Sequence, residues 1–435
     1  MIRLAAIIIA MACVGCACAA AGGGADMNLA KPTPDQAAWH DLEVEMFLCL
    51  GPATWQNVEY DTLATPLSQI DPAKLDTDQW ARVAVAMGAK QIVFVAKHTG
   101  GFCWWRTDTT VYGVKEIPWR GGKGDVVADI EKSCRRYGLK LGIYLSIQDD
   151  HWARANNRPL DRNAYGEAYN EVYRRQLTEV LTRYGRIDEI WFDGGISIPI
   201  DDIIKKHAPH AILFQASGKL DNKIRWVGNE EGYSDYPYWN AVREADLTGD
   251  PDGTVWMPAE VDTINVKPHY WFWNNRPERK LRSLDELMDC YYRSVGYGCV
   301  LLLNQTPDTT GLIPAPDAKR AAEFGAEVKR RFSKSIAETH GNGGMLDLDL
   351  ASPATIDHIV TMEDITEGQR VREYVLQGKV DGHWKELCHG TSIGHKKIDR
   401  IQPITVEAVR LICTKSVGEP IIRKLAVYYA GGTSK

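Results

Sequence analysis

Between about residue 40 and residue 332 the chain alternates short, nearly unbroken apolar runs with longer stretches of helical periodicity. This alternation limits the fold more than any other feature. A strand that is apolar at every position has no face for water and must be covered on both sides, as in a parallel sheet flanked by helices. Such runs occupy 45–50, 91–96, 140–145, 189–192, 212–215, 224–227, 254–258 and 299–303, with helical patterns at 76–87, 125–137, 165–184, 284–297 and 316–332. The series predicts an α/β fold, an irregular (β/α)8 TIM-like barrel over 39–334, with helix placement unclear after the sixth and seventh strands. A doubly wound sheet is the alternative.

The texture changes after Phe332. His340-Gly341-Asn342-Gly343-Gly344 reads as a turn-rich break. Beyond it, β-branched or alternating runs at 345–350, 356–362, 370–379, 406–414 and 424–430 carry no long helix pattern. They predict a C-terminal antiparallel β-sandwich over 335–435, of about 100 residues.

The first residues read as a leader rather than as part of the fold. Arg3, an apolar run over 4–14 and a small-residue exit make an export signal over 1–21, followed by a tether over 22–38. Cys13 and Cys16 follow small residues, so a lipid anchor and plain cleavage near 19–21 both stay open. No later segment is long and apolar enough to span a bilayer. The expected location is therefore outside the inner membrane of a bacterium: periplasm, or a lipoprotein of the outer membrane or cell surface.

Three of the ten cysteines fall in the leader. The remaining seven are odd in number and lack CxxC spacing, so neither a disulfide framework nor a zinc site is suggested. With 51 basic against 57 acidic residues, no nucleic-acid partner is expected. The fourteen tryptophans supply flat apolar faces of the kind that suit sugar rings.

In a parallel barrel the reactive groups project from the carboxyl ends of the strands. The residues there are Cys49, His98, Ser146, Asp193, Gln215, Glu230, Glu260 and Asn304. Three carboxylates after three strands suit glycoside hydrolysis, in which one attacks and another protonates the leaving oxygen. They equally suit a divalent cation, although only His98 offers nitrogen. Asp193 ends an apolar strand and precedes Gly194-Gly195, which would let a substrate approach; a turn-forming Asp-Gly leaves the same trace. Glu230 stands beside Glu231, a neighbour expected to raise its pKa. Glu260 competes for the acid role, or binds a hydroxyl, or orients Lys267. His98 is a candidate hydroxyl ligand. Trp104, Trp105, Trp119, Trp226, Trp271 and Trp273 are candidate stacking faces.

These segments carry a resemblance. The stretches 97–102, 117–125, 137–146, 189–194, 226–232, 256–260 and 301–312 follow in the order seen in α-L-fucosidases of glycoside hydrolase family 29, most like the branch preferring α-1,3/4-linked fucose. Residues 367–371 and 390–396 resemble that family's β-sandwich. The resemblance implies a retaining exo-glycosidase acting on oligosaccharides or glycoconjugates, with Asp193 as nucleophile and Glu230 as acid/base. No metal or organic cofactor is implied. Substrate contacts are expected from His98, Trp105, Glu260, Cys49, Trp226 and Trp271. Two family positions depart: Cys49 stands where a histidine is usual, and His98-Thr99-Gly100-Gly101 lacks a second histidine and an aspartate. Both absent histidines normally hold fucose hydroxyls, so a related sugar such as an L-galactoside is a second expectation. A catalytically weak glycan-binding protein on the same scaffold is the alternative from another class.

Overall fold

In the computed structural model, which describes residues 29–161, 165–243 and 246–431, eight parallel strands close into a barrel. They are β1 (Val44–Leu48), β2 (Gln91–Lys97), β3 (Lys140–Leu145), β4 (Glu189–Trp191), β5 (Ile212–Phe214), β6 (Lys223–Trp226), β7 (Ala259–Ile264) and β8 (Val300–Gln305). Each pairs with the next, and β8 closes on β1 with Val44 opposite Leu301. The continuous apolar runs explain themselves through period-two alternation. Met46, Leu48, Ile92, Phe94, Ile143, Val261 and Leu301 face outward against the helices. Phe47, Cys49, Val93, Val95, Tyr144, Trp191, Phe214 and Leu302 form the interior cluster.

The expected leader and the first part of the tether (22–28) lie outside the described residues. The tether's later part is not all linker. Pro34–His40 is a helix with Thr33 and Gln36 in a capping box, and it buries Gln36, Trp39 and His40. Its proline at the first helical position is what composition alone read as tether. The helices predicted from periodicity form as Thr77–Met87, Val126–Tyr137, Glu167–Arg183, Leu284–Arg293 and Ala315–Phe332. Asp76 and Asp125 cap the first two, accepting from Asp78 N and Ala128 N.

The irregularity falls between β5 and β7. No helix separates β5 from β6. Between β6 and β7 a three-stranded antiparallel sheet takes the helix's place, formed by Ala241–Arg243, Asp246–Gly249 and Val255–Trp256. The seventh strand expected at 254–258 is therefore corrected. Val255–Trp256 pairs with Ala241–Val242 in the small sheet, and the barrel strand starts only after Pro258. Proline has no N–H to give a ladder; Pro258 contributes only its carbonyl, which accepts from Arg225 N.

After Phe332 six antiparallel strands form one sheet in the order Ala337–Asn342, Ile421–Tyr428, Met345–Glu363, Lys397–Ser416, Val371–Val380 and His383–Gly390. Its two longest strands are broken by register shifts between Asp349 and Ala354 and between Ile356 and His358. Ala337–Asn342 and His383–Gly390 were not anticipated, and the first absorbs part of the expected break. The sheet domain encloses its own core, with Leu348, Ile356, Ile359, Tyr374 and Val409 buried. Its other attachment is to the barrel. Val360, Met362, Ile398, Ala426 and Tyr428 join the barrel's outer core, and Lys396 pairs with Glu43 at 2.6 Å.

Candidate active site

A pocket of about 630 Å³ opens at the carboxyl ends of the strands. Strand alternation builds its floor. Phe47, Val95, Trp191 and Phe214 face the axis one layer below the rim, and Trp191 lies flat on Phe214 with ring centres 3.6 Å apart. Above them stand Cys49, His98, Asp193, Glu230, Asp262, Trp226 and Trp271.

Asp193 leaves β4 two residues after Trp191, on the same inward face. The Tyr144 hydroxyl, projecting from β3, donates to Asp193 Oδ2 at 3.0 Å. Burial, and then the Asp193 charge, push the Tyr144 phenol far above its usual pKa, so it remains a donor. The next residue, Gly194, turns with φ 67° and gives its N–H to Gln215 Oε1 at 2.8 Å. A β-carbon there would be strained. The turn is thus fixed by neighbouring strand ends, and the carboxylate is presented to the pocket.

Glu230 stands in the loop after β6, which Asn229 fixes by donating to Tyr233 O and accepting from Glu231 N. His269 Nε2 lies 3.1 Å from Glu230 Oε2. The expected raised pKa is not what the site produces. Adjacency in sequence is not adjacency in space, and the imidazole of His269 holds the Glu230 carboxyl below the usual value. Beside Glu230 it is two other carboxyls that are raised. Burial pushes Asp262 up to about 8, with the charges of Glu230 and Asp193 adding to it and the Trp226 indole opposing. Burial likewise pushes Glu59 up to about 7, although it accepts from Trp271 N at 2.9 Å.

The tryptophan walls of the pocket are also fixed. Trp226 Nε1 donates to Asp262 Oδ1 at 2.9 Å, and the Trp271 carbonyl accepts from Asn304 Nδ2 at 2.8 Å. His98 is sandwiched between Tyr60 and Tyr144, with ring centres 6.0 and 5.6 Å away. Burial lowers its pKa to about 4, so it is a neutral imidazole at ordinary pH. Burial, then the charge of Glu59, raise the Cys49 thiol well above its usual value, so it stays uncharged.

Six of the eight site residues expected from sequence therefore converge on one pocket: Asp193, Glu230, His98, Cys49, Trp226 and Trp271. Trp105 does not. It is fully buried in the outer core and donates to Glu179 Oε2 at 3.1 Å, because the chain after β2 folds back over the barrel wall. Glu260 does not either. With β7 starting at Ala259, Glu260 sits at the strand's entry, beneath the floor, where Trp191 Nε1 donates to its Oε2 at 2.6 Å. Nor does it orient Lys267, which pairs with Glu286. The residue two places on, Asp262, occupies the height expected of Glu260. The Glu260-Val261-Asp262 alternation carries that signal once the strand is framed correctly. Tyr144 was readable in the same way, as an inward position of β3. Glu59 and His269 lie on loops and leave no periodic trace.

Below the floor, Glu260, Glu45 and Glu189 bring carboxyl oxygens within 4.8 Å of one another. Gln91 Nε2 donates to both Glu45 and Glu189. Burial first, then mutual repulsion, raise all three pKa values well above the usual range. Each of the three also keeps one buried oxygen without a hydrogen-bond partner.

An eight-stranded barrel with carboxylates and tryptophans converging on a pocket at its carboxyl face is the architecture of a glycoside hydrolase. Residues 40–331 match the sequence model of the family described as Alpha-L-fucosidase. The "Putative alpha-L-fucosidase 1" of rice, Oryza sativa subsp. japonica, is 31% identical over 92% of this chain and 85% of its own length. Alpha-L-fucosidase 1 of Arabidopsis thaliana is 29% identical over 92% and 88%. The crystal structure of a "putative alpha-L-fucosidase" from Bacteroides thetaiotaomicron superposes with a TM-score of 0.84 at 33% identity, covering 92% of this chain and 99% of that one. The chain belongs to the α-L-fucosidase family, glycoside hydrolase family 29, and is a glycoside hydrolase.

Proposed function

We propose that the protein is a retaining exo-glycosidase releasing terminal α-L-fucosyl residues, or a related α-L-sugar such as L-galactosyl, from glycans. The observation that carries this reading is the Asp193 carboxylate, presented to the pocket and held by Tyr144, with Glu230 on the neighbouring wall. Asp193 attacks the anomeric carbon while the glycosidic oxygen takes a proton at Glu230. The result is a glycosyl ester on Asp193 and a free aglycone hydroxyl. Glu230 then accepts a proton from water, whose oxygen displaces the Asp193 carboxylate and restores it. Trp226 and Trp271 supply apolar walls for the ring. The neutral His98 can hold a hydroxyl, whereas the Cys49 thiol is a weak partner where a histidine would be a strong one.

Aryl α-L-fucoside and α-L-galactoside compared side by side test the sugar. Asp193→Ala tests the nucleophile: turnover falls by about four orders of magnitude or more and is partly restored by azide. Wild-type activity in Asp193→Ala contradicts the assignment. Export, by a cleaved leader or with a lipid anchor, belongs to the same proposal and is supported by residues 1–21 of the sequence; cell fractionation tests it.

A further inference from the structure

His269 lies on the loop after β7, and its Nε2, a buried ring nitrogen with no hydrogen-bond partner of its own, comes within 3.1 Å of Glu230 Oε2. Its ring is held edge-on against Trp271, with centres 5.0 Å apart. Trp271 in turn is tied through its backbone N–H to Glu59 and through its carbonyl to Asn304. The imidazole is therefore aimed at Glu230 by a wall of the sugar pocket itself. The only other basic group on this part of the loop, Lys267, is engaged by Glu286.

Taking Glu230 as the acid/base, we propose that His269 is its positioning and proton-sharing partner, so that one proton held between Glu230 Oε2 and His269 Nε2 is the proton delivered to the departing sugar. A lone carboxyl loses its proton near pH 4–5, too early for a general acid at neutral pH. A carboxylate–imidazolium pair carries the same single proton as a carboxylic acid beside a neutral imidazole, and it titrates as a unit. In the first step the glycosidic oxygen takes that proton, leaving a carboxylate and a neutral imidazole, as Asp193 bonds to the anomeric carbon. In the second, water returns a proton to the pair as its oxygen breaks the Asp193 ester. The charge balance suits this exchange. The charged and titratable groups coupled to the pair are Glu59, Tyr60 and Asp262, with Asp193 acting on the last two; all are acids.

The test compares wild type, His269→Phe, His269→Gln and Glu230→Ala on two substrates. One is an aryl fucoside with a nitro-activated leaving group that departs without protonation; the other is a fucosyl disaccharide that requires it. His269→Phe is expected to lose about 10- to 100-fold in kcat/KM on the disaccharide and less than about threefold on the activated fucoside. The alkaline limb on the disaccharide should move down by about one pH unit or more. His269→Gln, which keeps a donor but carries no proton to share, should show the same limb shift with a smaller loss. It serves as the test should His269→Phe melt early. Equal losses on both substrates, or an unmoved limb, overturn the pair. Glu230→Ala separates this from the underlying assignment: if it loses as much on the activated fucoside as on the disaccharide, Glu230 is not the acid/base and the pair falls with it. If Glu230→Ala spares the activated fucoside and the His269 variants do not discriminate, the pair alone is wrong.

Discussion

The hydroxyl of Tyr144 donates to Oδ2 of Asp193 across 3.0 Å, joining the ends of two adjacent barrel strands. The bond holds one oxygen of a carboxylate that lines the pocket and so restrains its direction. A hydrogen bond to a charged group contributes about 1.5–3 kcal/mol. Tyr144→Phe should therefore lower kcat/KM by about 10- to 100-fold while the melting temperature moves little, as steady-state kinetics and calorimetry on one preparation would show. An unchanged kcat/KM would mean that Asp193 is oriented by something else.

Two tryptophans that look alike in sequence should separate in the laboratory. Trp105→Phe removes a buried N–H from Glu179 and leaves a small cavity, costing about 1–3 kcal/mol in urea unfolding with kcat/KM preserved. Trp226→Phe frees Asp262 in the pocket and should raise KM several-fold with only a minor change in stability. Reversal of the two patterns would place the sugar elsewhere.

Asp262 makes stability depend on pH in a defined direction. Its folded pKa of about 8 lies above the ordinary carboxyl value near 4. Between those limits the folded chain holds a proton that the unfolded chain has released, so stability falls as pH rises through the window. Histidines with lowered values act oppositely but only below about pH 6.5, as with His98 at about 4. Between pH 6.5 and 8 the wild-type melting temperature should fall, and Asp262→Asn should flatten that slope. A slope equally steep in the variant would show that Asp262 is ionised throughout.

In the sheet domain, Glu363 is buried and accepts backbone N–H bonds from Arg370, Val371 and Gly394 at 2.7–2.9 Å. It ties two loops beside the barrel. Glu363→Ala strands two buried donors and a half-buried one and should cost about 3 kcal/mol or more, whereas Glu363→Gln keeps acceptor oxygen and should cost less. Chemical denaturation of both variants checks the order.

The barrel was legible because strands covered on both faces leave continuous apolar runs, and the helices between them carry a 3.6-residue period. Legibility failed at 254–258, where Val255-Trp256 looks like one more barrel strand. Only tertiary pairing assigns it to the small sheet, and that shift of frame puts Asp262, not Glu260, at the pocket. Asp193 and Glu230 could be read because each follows a strand that fixes it. His269 and Glu59 could not, since a loop residue acquires its neighbours only when the chain closes. Trp105 misled for a related reason: a tryptophan serves a core as well as a sugar, and the sequence does not say on which side of the barrel wall it falls.

If Asp193 forms the glycosyl ester, as proposed, that ester can be trapped. Incubation with a 2-deoxy-2-fluoro-α-L-fucosyl donor bearing an activated leaving group, followed by peptide mass spectrometry, should find one fluorofucosyl adduct on the peptide containing Asp193. Label on Glu230, Asp262 or another carboxylate, or turnover of that donor giving the β anomer of 2-deoxy-2-fluoro-L-fucose as the first-formed product with no adduct, would contradict it.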